Sequence, residues 1–370
     1  MKDIGRREFL RTGAGAGLGA SLAAFGLPAV RGEQPASLEP APRGARERIK
    51  AFCVDFNWGP GGENGFSPPG LFSNASAQEH VKWYRELGVN TIQSFCVSCI
   101  GYAWFRSSVA PVTPGMKGDF LKELADLGHE AGMRVMGYFC VGANTHWGKT
   151  RPGLSHGNPS ETHIPLTLEY VDYLAKCIED ALKVTAIDGF MLDWFFSPEP
   201  RWIECEENMY EEIFGEGFPG KEAMTEARTV DFKRRAVARA WKRVREAAKS
   251  VRPECILWLS CYDLGDPQVA WSTLVREVDW LMNENPDPAK LVLASAETGK
   301  ETRLIQCICG WGERHDAEKI IKDPRHADWG FYGFAKPSTA TGFPPLESSD
   351  PLTAGNARNI EIIRKAFTGG

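Results

Sequence analysis

Four carboxylates, Asp55, Asp193, Asp263 and Glu284, each close a short apolar, β-prone run of the chain. A charge placed after such a run is costly to bury unless a partner holds it or a function needs it. Aromatic residues stand beside them. Trp58 follows Asp55-Phe56-Asn57, His146-Trp147 lies beyond a third run, Trp194 follows Asp193, and Trp311 follows Gly310. Paired carboxylates can protonate a leaving oxygen and attack an acetal carbon, and indole faces stack on the apolar faces of pyranose rings. The expected chemistry is therefore cleavage of a glycosidic bond. Asp193 is the expected nucleophile, with Glu284 the first choice of general acid/base and Asp263 the second. Asp55, which shares a strand face with Asn57, ranks third as an acid and is better suited to binding hydroxyls. The expected substrate-binding residues are Asp55, Asn57, Trp58, His146, Trp147 and Trp311.

The segment Ile187-Asp188-Gly189-Phe190-Met191-Leu192-Asp193-Trp194 carries the most information. Side chains alternate across a strand. Gly189, Met191 and Asp193 share one face, and Phe190, Leu192 and Trp194 the other. The second set is more apolar and is assigned to the surrounding helices, so Asp193 points inward at the strand's end. Asp188 falls on the opposite face near the strand start and reads as structural, as do His80 and His129 on their helices.

These strand ends need a scaffold that gathers them. Strand patterns occur at 51–57, 90–96, 134–141, 187–195, 255–261, 278–284, 303–310 and 328–334. Helical patterns lie near 76–88, 116–132, 166–184, 226–251, 266–276, 287–296, 313–322 and 355–367, with Ser76 and Asp316 as N-caps. Strict alternation predicts an α/β protein with a parallel sheet. Eight units predict a single-domain (β/α)8 TIM barrel over 49–370, whose chemistry sits at the C-terminal strand ends. Gly59-Pro60-Gly61-Gly62 lacks the spacing of a dinucleotide-binding turn.

Composition narrows the function classes. The chain has 370 residues, 43% hydrophobic and 25% charged, which excludes a largely disordered protein. A net charge of −5 leaves no basic footprint for nucleic acid. Gly5-Arg6-Arg7-Glu8-Phe9-Leu10-Arg11, followed by an uncharged Gly/Ala-rich run to Val30, matches a twin-arginine export signal. Residues 1–32 are the expected signal and 33–48 a linker. The expected partners are the twin-arginine export machinery and a carbohydrate substrate, in the periplasm or outside the cell, with no stable membrane span after signal removal. The ten cysteines are scattered, several within strands, so no essential disulfide framework is expected. Cys96 and Cys99 have no second pair for zinc, and His146, His156 and His163 lack the spacing of a metal-binding motif. No metal site and no cofactor are expected.

Segments 51–59, 76–106, 118–142 and 166–195 resemble the α-L-fucosidase barrel of glycoside hydrolase family 29. The likeness is carried by Glu86-Leu87-Gly88-Val89-Asn90, Gly101-Tyr102-Ala103-Trp104-Phe105, Asp119 to Leu124, His129 to Met133, and the run from Tyr170 to Asp193. The resemblance implies a (β/α)8 glycosidase and maps the family's nucleophile, the last Asp of a D-G-x-x-x-D strand, onto Asp193. It departs where the family binds fucose hydroxyls with histidines. Asn57-Trp58-Gly59 stands for His-Trp-Gly, and Ser98-Cys99-Ile100 for His-His-Asp. A site that hydrogen-bonds particular hydroxyls discriminates strongly, so fucose does not carry over with the barrel. The alternatives to an exported glycoside hydrolase are a non-catalytic carbohydrate-binding barrel and, third, a metal-dependent hydrolase using the loop histidines.

Overall fold

The computed structural model describes residues 47–62, 65–157, 162–310, 314–337 and 356–369. The expected signal, nearly all of the linker and Trp311 lie outside the described residues. The elements run β1 (Lys50–Val54), α1 (Ala77–Leu87), β2 (Thr91–Val97), α2 (Phe120–Glu130), β3 (Arg134–Cys140), α3 (Thr145–Thr150), α4 (Leu168–Val184), β4 (Gly189–Asp193), α5 (Glu204–Phe214), α6 (Glu226–Val251), β5 (Ile256–Cys261), α7 (Thr273–Glu277), β6 (Trp280–Asn283), α8 (Ala289–Ser295), β7 (Arg303–Cys309), α9 (Ala317–Lys322), β8 (Gly330–Ala335) and α10 (Asn356–Thr368).

All eight strands pair in parallel with their sequence neighbours, and β8 returns to β1, so the barrel closes as a (β/α)8 fold. The register sets the interior rows. Tyr138 stands opposite Met191, Met191 opposite Trp258, and Trp258 opposite Trp280. Trp258 also meets Tyr332 of β8 edge to face at 5.4 Å. Strands β5 and β8 are not neighbours, so this contact crosses the inside of the barrel. Trp258, Met191, Met282, Ile305 and Tyr332 are all buried there, each large side chain contributing roughly 1.5–3 kcal/mol through lost water contact. A Cβ on Gly189 would sit 2.0 Å from the Ile256 carbonyl oxygen, which explains a glycine at the start of β4.

The helices follow their expected caps. Ser76 accepts the Glu79 N–H and Asp316 the Lys319 N–H. Two helices, α3 and α5, were not expected; both lie in the connections after β3 and β4, at the end of the barrel where the strands finish. The pattern at 266–276 shortens to α7, because Pro267 sits in a turn and Trp271 takes φ +58, outside helical space. As the sequence implies, Asp188 is structural: its Oδ2 accepts the Val135 N–H and meets His129 Nε2 at 2.9 Å. No helix among the described residues is long and apolar enough to cross a membrane.

Candidate active site

Strand β4 delivers Asp193 to the C-terminal end of the barrel, in register with Cys140 of β3. Its two oxygens are held differently. Tyr138 donates its hydroxyl proton to Oδ2 at 2.7 Å, and the Trp194 backbone N–H donates to Oδ1 at 2.9 Å. The Ser260 hydroxyl of β5 also hydrogen-bonds the carboxylate. Burial among apolar strand residues pushes the Asp193 carboxyl up to about 6, against the pull of these three donors, which favour the charged form. The group is thus mostly ionised at neutral pH and easily protonated just below it.

Two further carboxylates share this end of the barrel. Burial raises the Cys53 thiol, and the charges of Asp55 and Asp193 push it further. Burial likewise raises the Tyr332 hydroxyl, with Cys53, Asp55, Cys307 and Glu284 adding to the effect. The charges of Asp55 and Asp193 are thus both felt at Cys53, and those of Asp55 and Glu284 at Tyr332. Asp55 follows β1, Asp193 ends β4 and Glu284 follows β6, so all three stand at the C-terminal end of the barrel. Asp55 is 9% exposed, and its Oδ1 accepts the Asn57 N–H at 2.8 Å. Glu284 extends the β5–β6 ladder, its N–H donating to the Cys261 carbonyl, and is partly exposed.

Asp263 is placed otherwise. Its Oδ1 accepts Lys290 Nζ at 2.9 Å and the Gly265 N–H at 3.1 Å, in a turn where its side chain is 47% exposed. The Asp263 carboxylate is thus taken up by Lys290 and the backbone of its own turn.

The aromatic residues are rearranged relative to the sequence expectation. Trp194 does not join Phe190 and Leu192 on the helix side. Its φ of +55 breaks the strand alternation immediately after Asp193. Gly142 permits the turn, since a Cβ there would meet the Trp194 carbonyl oxygen at 2.5 Å. The Trp194 ring then stacks on His163 (5.7 Å between centroids) and Phe196 (5.8 Å), with Phe66 at 5.9 Å. A non-glycine residue in left-handed backbone costs of order 1–3 kcal/mol, and such outliers gather at functional sites. Trp58 stacks on Phe66 and is buried, so it backs this wall. Burial above all pushes the His163 imidazole down to about 4, so it stacks as a neutral ring.

Trp147 is corrected from substrate stacking to packing. It is buried against Tyr170 and Tyr173 of α4, with the Arg151 guanidinium 3.8 Å from its ring centroid, so its faces are occupied. Asn57 is likewise turned to the scaffold: its Oδ1 accepts the Cys99 N–H, and its carbonyl accepts the Ser67 N–H. His146 packs edge-on to Tyr102 and is partly exposed.

Residues 76–194 match the family model described as hypothetical glycosyl hydrolase 6. The matched segment ends one residue past Asp193. The fold is similar to that of α-L-fucosidase isoenzyme 2 from Paenibacillus thiaminolyticus, with a TM-score of 0.62 at 16% identity, over 87% of this chain and 49% of that one. The chain thus spans about half the length of that enzyme. It is also similar to the PgaB (BpsB) glycoside hydrolase domain from Bordetella bronchiseptica, with a TM-score of 0.55 at 14% identity, over 87% of this chain and 98% of that domain. No curated protein matches the sequence.

In this (β/α)8 barrel, the long loops after β3 and β4 are tied together by a buried pair. His156 Nε2 meets Glu206 Oε1 at 2.7 Å, with side chains 4% and 2% exposed. Glu206 Oε2 accepts the Arg201 and Ile203 N–H groups, and Arg201 donates to the His156 carbonyl. This buried pair fixes the two segments that carry His163 and Trp194. The three loop histidines are therefore spent separately, on Tyr102, Glu206 and Trp194. Among the described residues no group of three or more His, Cys, Asp or Glu side chains is arranged to hold a metal ion.

Tyr138, Ser260, His163 and Trp194 stand at the site although the sequence expectation does not name them among its site residues. Alternation along β3 does put Tyr138 on the same face as Met136 and Cys140. Removing its hydroxyl has a defined sign. A hydrogen bond to a charged group is worth about 1.5–3 kcal/mol, or roughly 1–2 pH units on its titration. Tyr138→Phe is expected to move the acid limb of the pH–rate profile upward from near 6 by that amount, so its activity deficit is large at pH 6 and small at pH 8. An unshifted limb would mean that Tyr138 does not set the Asp193 proton affinity.

Proposed function

We propose that the protein is an exported glycoside hydrolase in which Asp193 attacks the anomeric carbon and Glu284 protonates the departing oxygen. The observation that carries this reading is Asp193 itself. It is an inward carboxylate at a C-terminal strand end, held by three donors and flanked by a neutral aromatic wall. The nucleophile must be ionised, which Tyr138, Ser260 and the Trp194 N–H favour. The acid must be protonated when the glycosidic bond breaks, and the same Glu284 carboxylate then takes a proton from the water that releases the sugar. Trp194 and His163 offer the ring faces on which a sugar can lie. Asp55 supplies a hydroxyl acceptor. The absence of histidine at positions 57, 98 and 99 argues for a sugar other than α-L-fucose.

The test is hydrolysis of a panel of nitrophenyl glycosides, α-L-fucoside included, across pH 4–9 at about one-unit steps. Turnover of at least one sugar, with kcat/KM falling as pH drops through about 6, is expected. Turnover with no limb in that region would remove Asp193 from the role of nucleophile. Binding of a glycoside without turnover would favour a carbohydrate-binding barrel instead.

Export through the twin-arginine pathway is part of the same proposal, supported by Arg6-Arg7 and the uncharged run behind them. Replacing Arg6 and Arg7 by lysine is expected to leave the protein in the cytoplasmic fraction. Unchanged recovery from the periplasm would contradict that route.

A further inference from the structure

Beneath Asp193 lies a pair of cysteines that the hydrolytic reading does not use. Cys99 Sγ and Cys140 Sγ are 3.0 Å apart, and both residues are buried. Their approach is imposed by the scaffold. Cys140 is the last residue of β3, opposite Asp193 in the ladder. Cys99 is pinned through its N–H to Asn57 Oδ1 and through its carbonyl to the Thr145 N–H. Both thiols are free in the described structure. Sulfurs held this near, on backbones fixed from three sides, need little movement to bond.

The pair also touches the site. Cys99 Sγ lies 3.2 Å from the Tyr138 hydroxyl oxygen, and that hydroxyl donates its single proton to Asp193 Oδ2. Toward Cys99, the Tyr138 oxygen is therefore left as an acceptor. The Cys99 thiol has one proton, shared between Cys140 Sγ and this oxygen; whenever it is offered to the tyrosine it strengthens the donation of Tyr138 to Asp193, because hydrogen bonds in a chain polarise one another. A disulfide has no such proton to give.

We propose that Cys99 and Cys140 form a reversible disulfide beneath the Asp193 site, made by exchange with a small-molecule disulfide. One thiolate attacks the external disulfide and expels a thiolate, giving a mixed disulfide. The second thiolate then attacks the protein sulfur of that mixed disulfide and expels the other half. Two protein thiols are oxidised by two electrons and one external disulfide is reduced to two thiols. The step suits the export proposed above, since disulfides persist outside the reducing cytoplasm. Burial, and after it the neighbouring Cys140, hold the Cys99 thiol protonated, so the exchange is expected to be slow and to quicken with rising pH.

The bond itself goes beyond the hydrolase reading; only its effect on Asp193 rests on that reading. The full chain is equilibrated in oxidised/reduced glutathione, both as native protein and after refolding from denaturant in the same buffer. The oxidised form is expected to lose the mass of two hydrogens, to yield a reducible cross-linked peptide containing Cys99 and Cys140, and to melt roughly 5 °C higher than the reduced form. Cys99→Ser and Cys140→Ser are each expected to abolish all three changes. If the panel identifies a substrate, oxidation also shifts the acid limb to higher pH. Retention of ten titratable thiols in both preparations, or a cross-link mapped to another pair, overturns the proposal whatever the outcome with glycosides.

Discussion

Asp193→Asn is expected to abolish turnover and, at neutral pH, to stabilise the fold. The first effect follows from losing the nucleophile. With no covalent intermediate available, a fall in kcat on the order of 10⁴-fold is expected, with little change in KM. The second follows from linkage. The Asp193 carboxyl is raised from 3.8 to about 6 in the folded chain. The native state therefore holds this proton more tightly than the unfolded state, and the favourable contribution is present at low pH. It is lost as pH rises from 3.8 toward 6, and above that the folded protein carries a charge it would rather not hold. At about 1.4 kcal/mol per pKa unit the cost approaches 3 kcal/mol. Asp193 is partly exposed, which screens the charge and lowers the figure to about 1–2 kcal/mol. Asparagine removes the charge at nearly constant shape. Urea denaturation of the two proteins at pH 7.5 and pH 4 checks the sign: the variant's advantage should be present at the first and gone at the second. A variant less stable than wild type at pH 7.5 would mean that the three donors outweigh burial.

Glu284→Gln is expected to separate the two steps of the reaction. A glycoside with a poor leaving group needs a proton on the departing oxygen, and its kcat/KM should fall by about 10²–10⁴-fold. A dinitrophenyl glycoside leaves without help, so its first step should be almost unchanged while hydrolysis of the intermediate slows. Added azide, which attacks without a general base, should restore turnover and yield a glycosyl azide. Asp263→Asn serves as the internal comparison. Its carboxylate is bound to Lys290 and half in solvent, and its loss should leave both substrates nearly unaffected. An equal fall on both substrates in Glu284→Gln would assign that carboxylate to binding.

Much of the scaffold was legible because the signals that specify it are local. Apolar runs alternate with amphipathic ones, and Ser76 and Asp316 mark helix starts by chemistry that acts within three residues. The inward direction of Asp193 follows from the period of a strand, and its neighbours Gly189 and Met191 share that face. What was not legible depends on contacts between distant segments or on backbone geometry. Lys290 claims Asp263 from 27 residues away, and Glu206 claims His156 from 50. Trp147 looked like a free platform beside His146, but Tyr170 and Tyr173 of the following helix cover it. The alternation assigns Trp194 to the outer face only because the expected strand, 187–195, runs two residues past the end of β4. The Trp194 φ of +55 turns it into the wall of the site, and nothing in a tryptophan side chain announces that conformation. Helices α3 and α5 escaped notice because each sits within a connection, where helical periodicity is short.

The account turns on a covalent bond to Asp193, and that bond can be trapped. The sugar that responds in the glycoside panel is supplied as a 2-deoxy-2-fluoro derivative with a good leaving group, which slows release of the intermediate more than its formation. Peptic digestion and mass spectrometry of the inactivated protein then locate the label. The account predicts one fluorosugar per chain, carried by the peptide that contains Asp193 and absent from Asp193→Asn. A label on Glu284, Asp55 or any other carboxylate, or inactivation without a label, would contradict it.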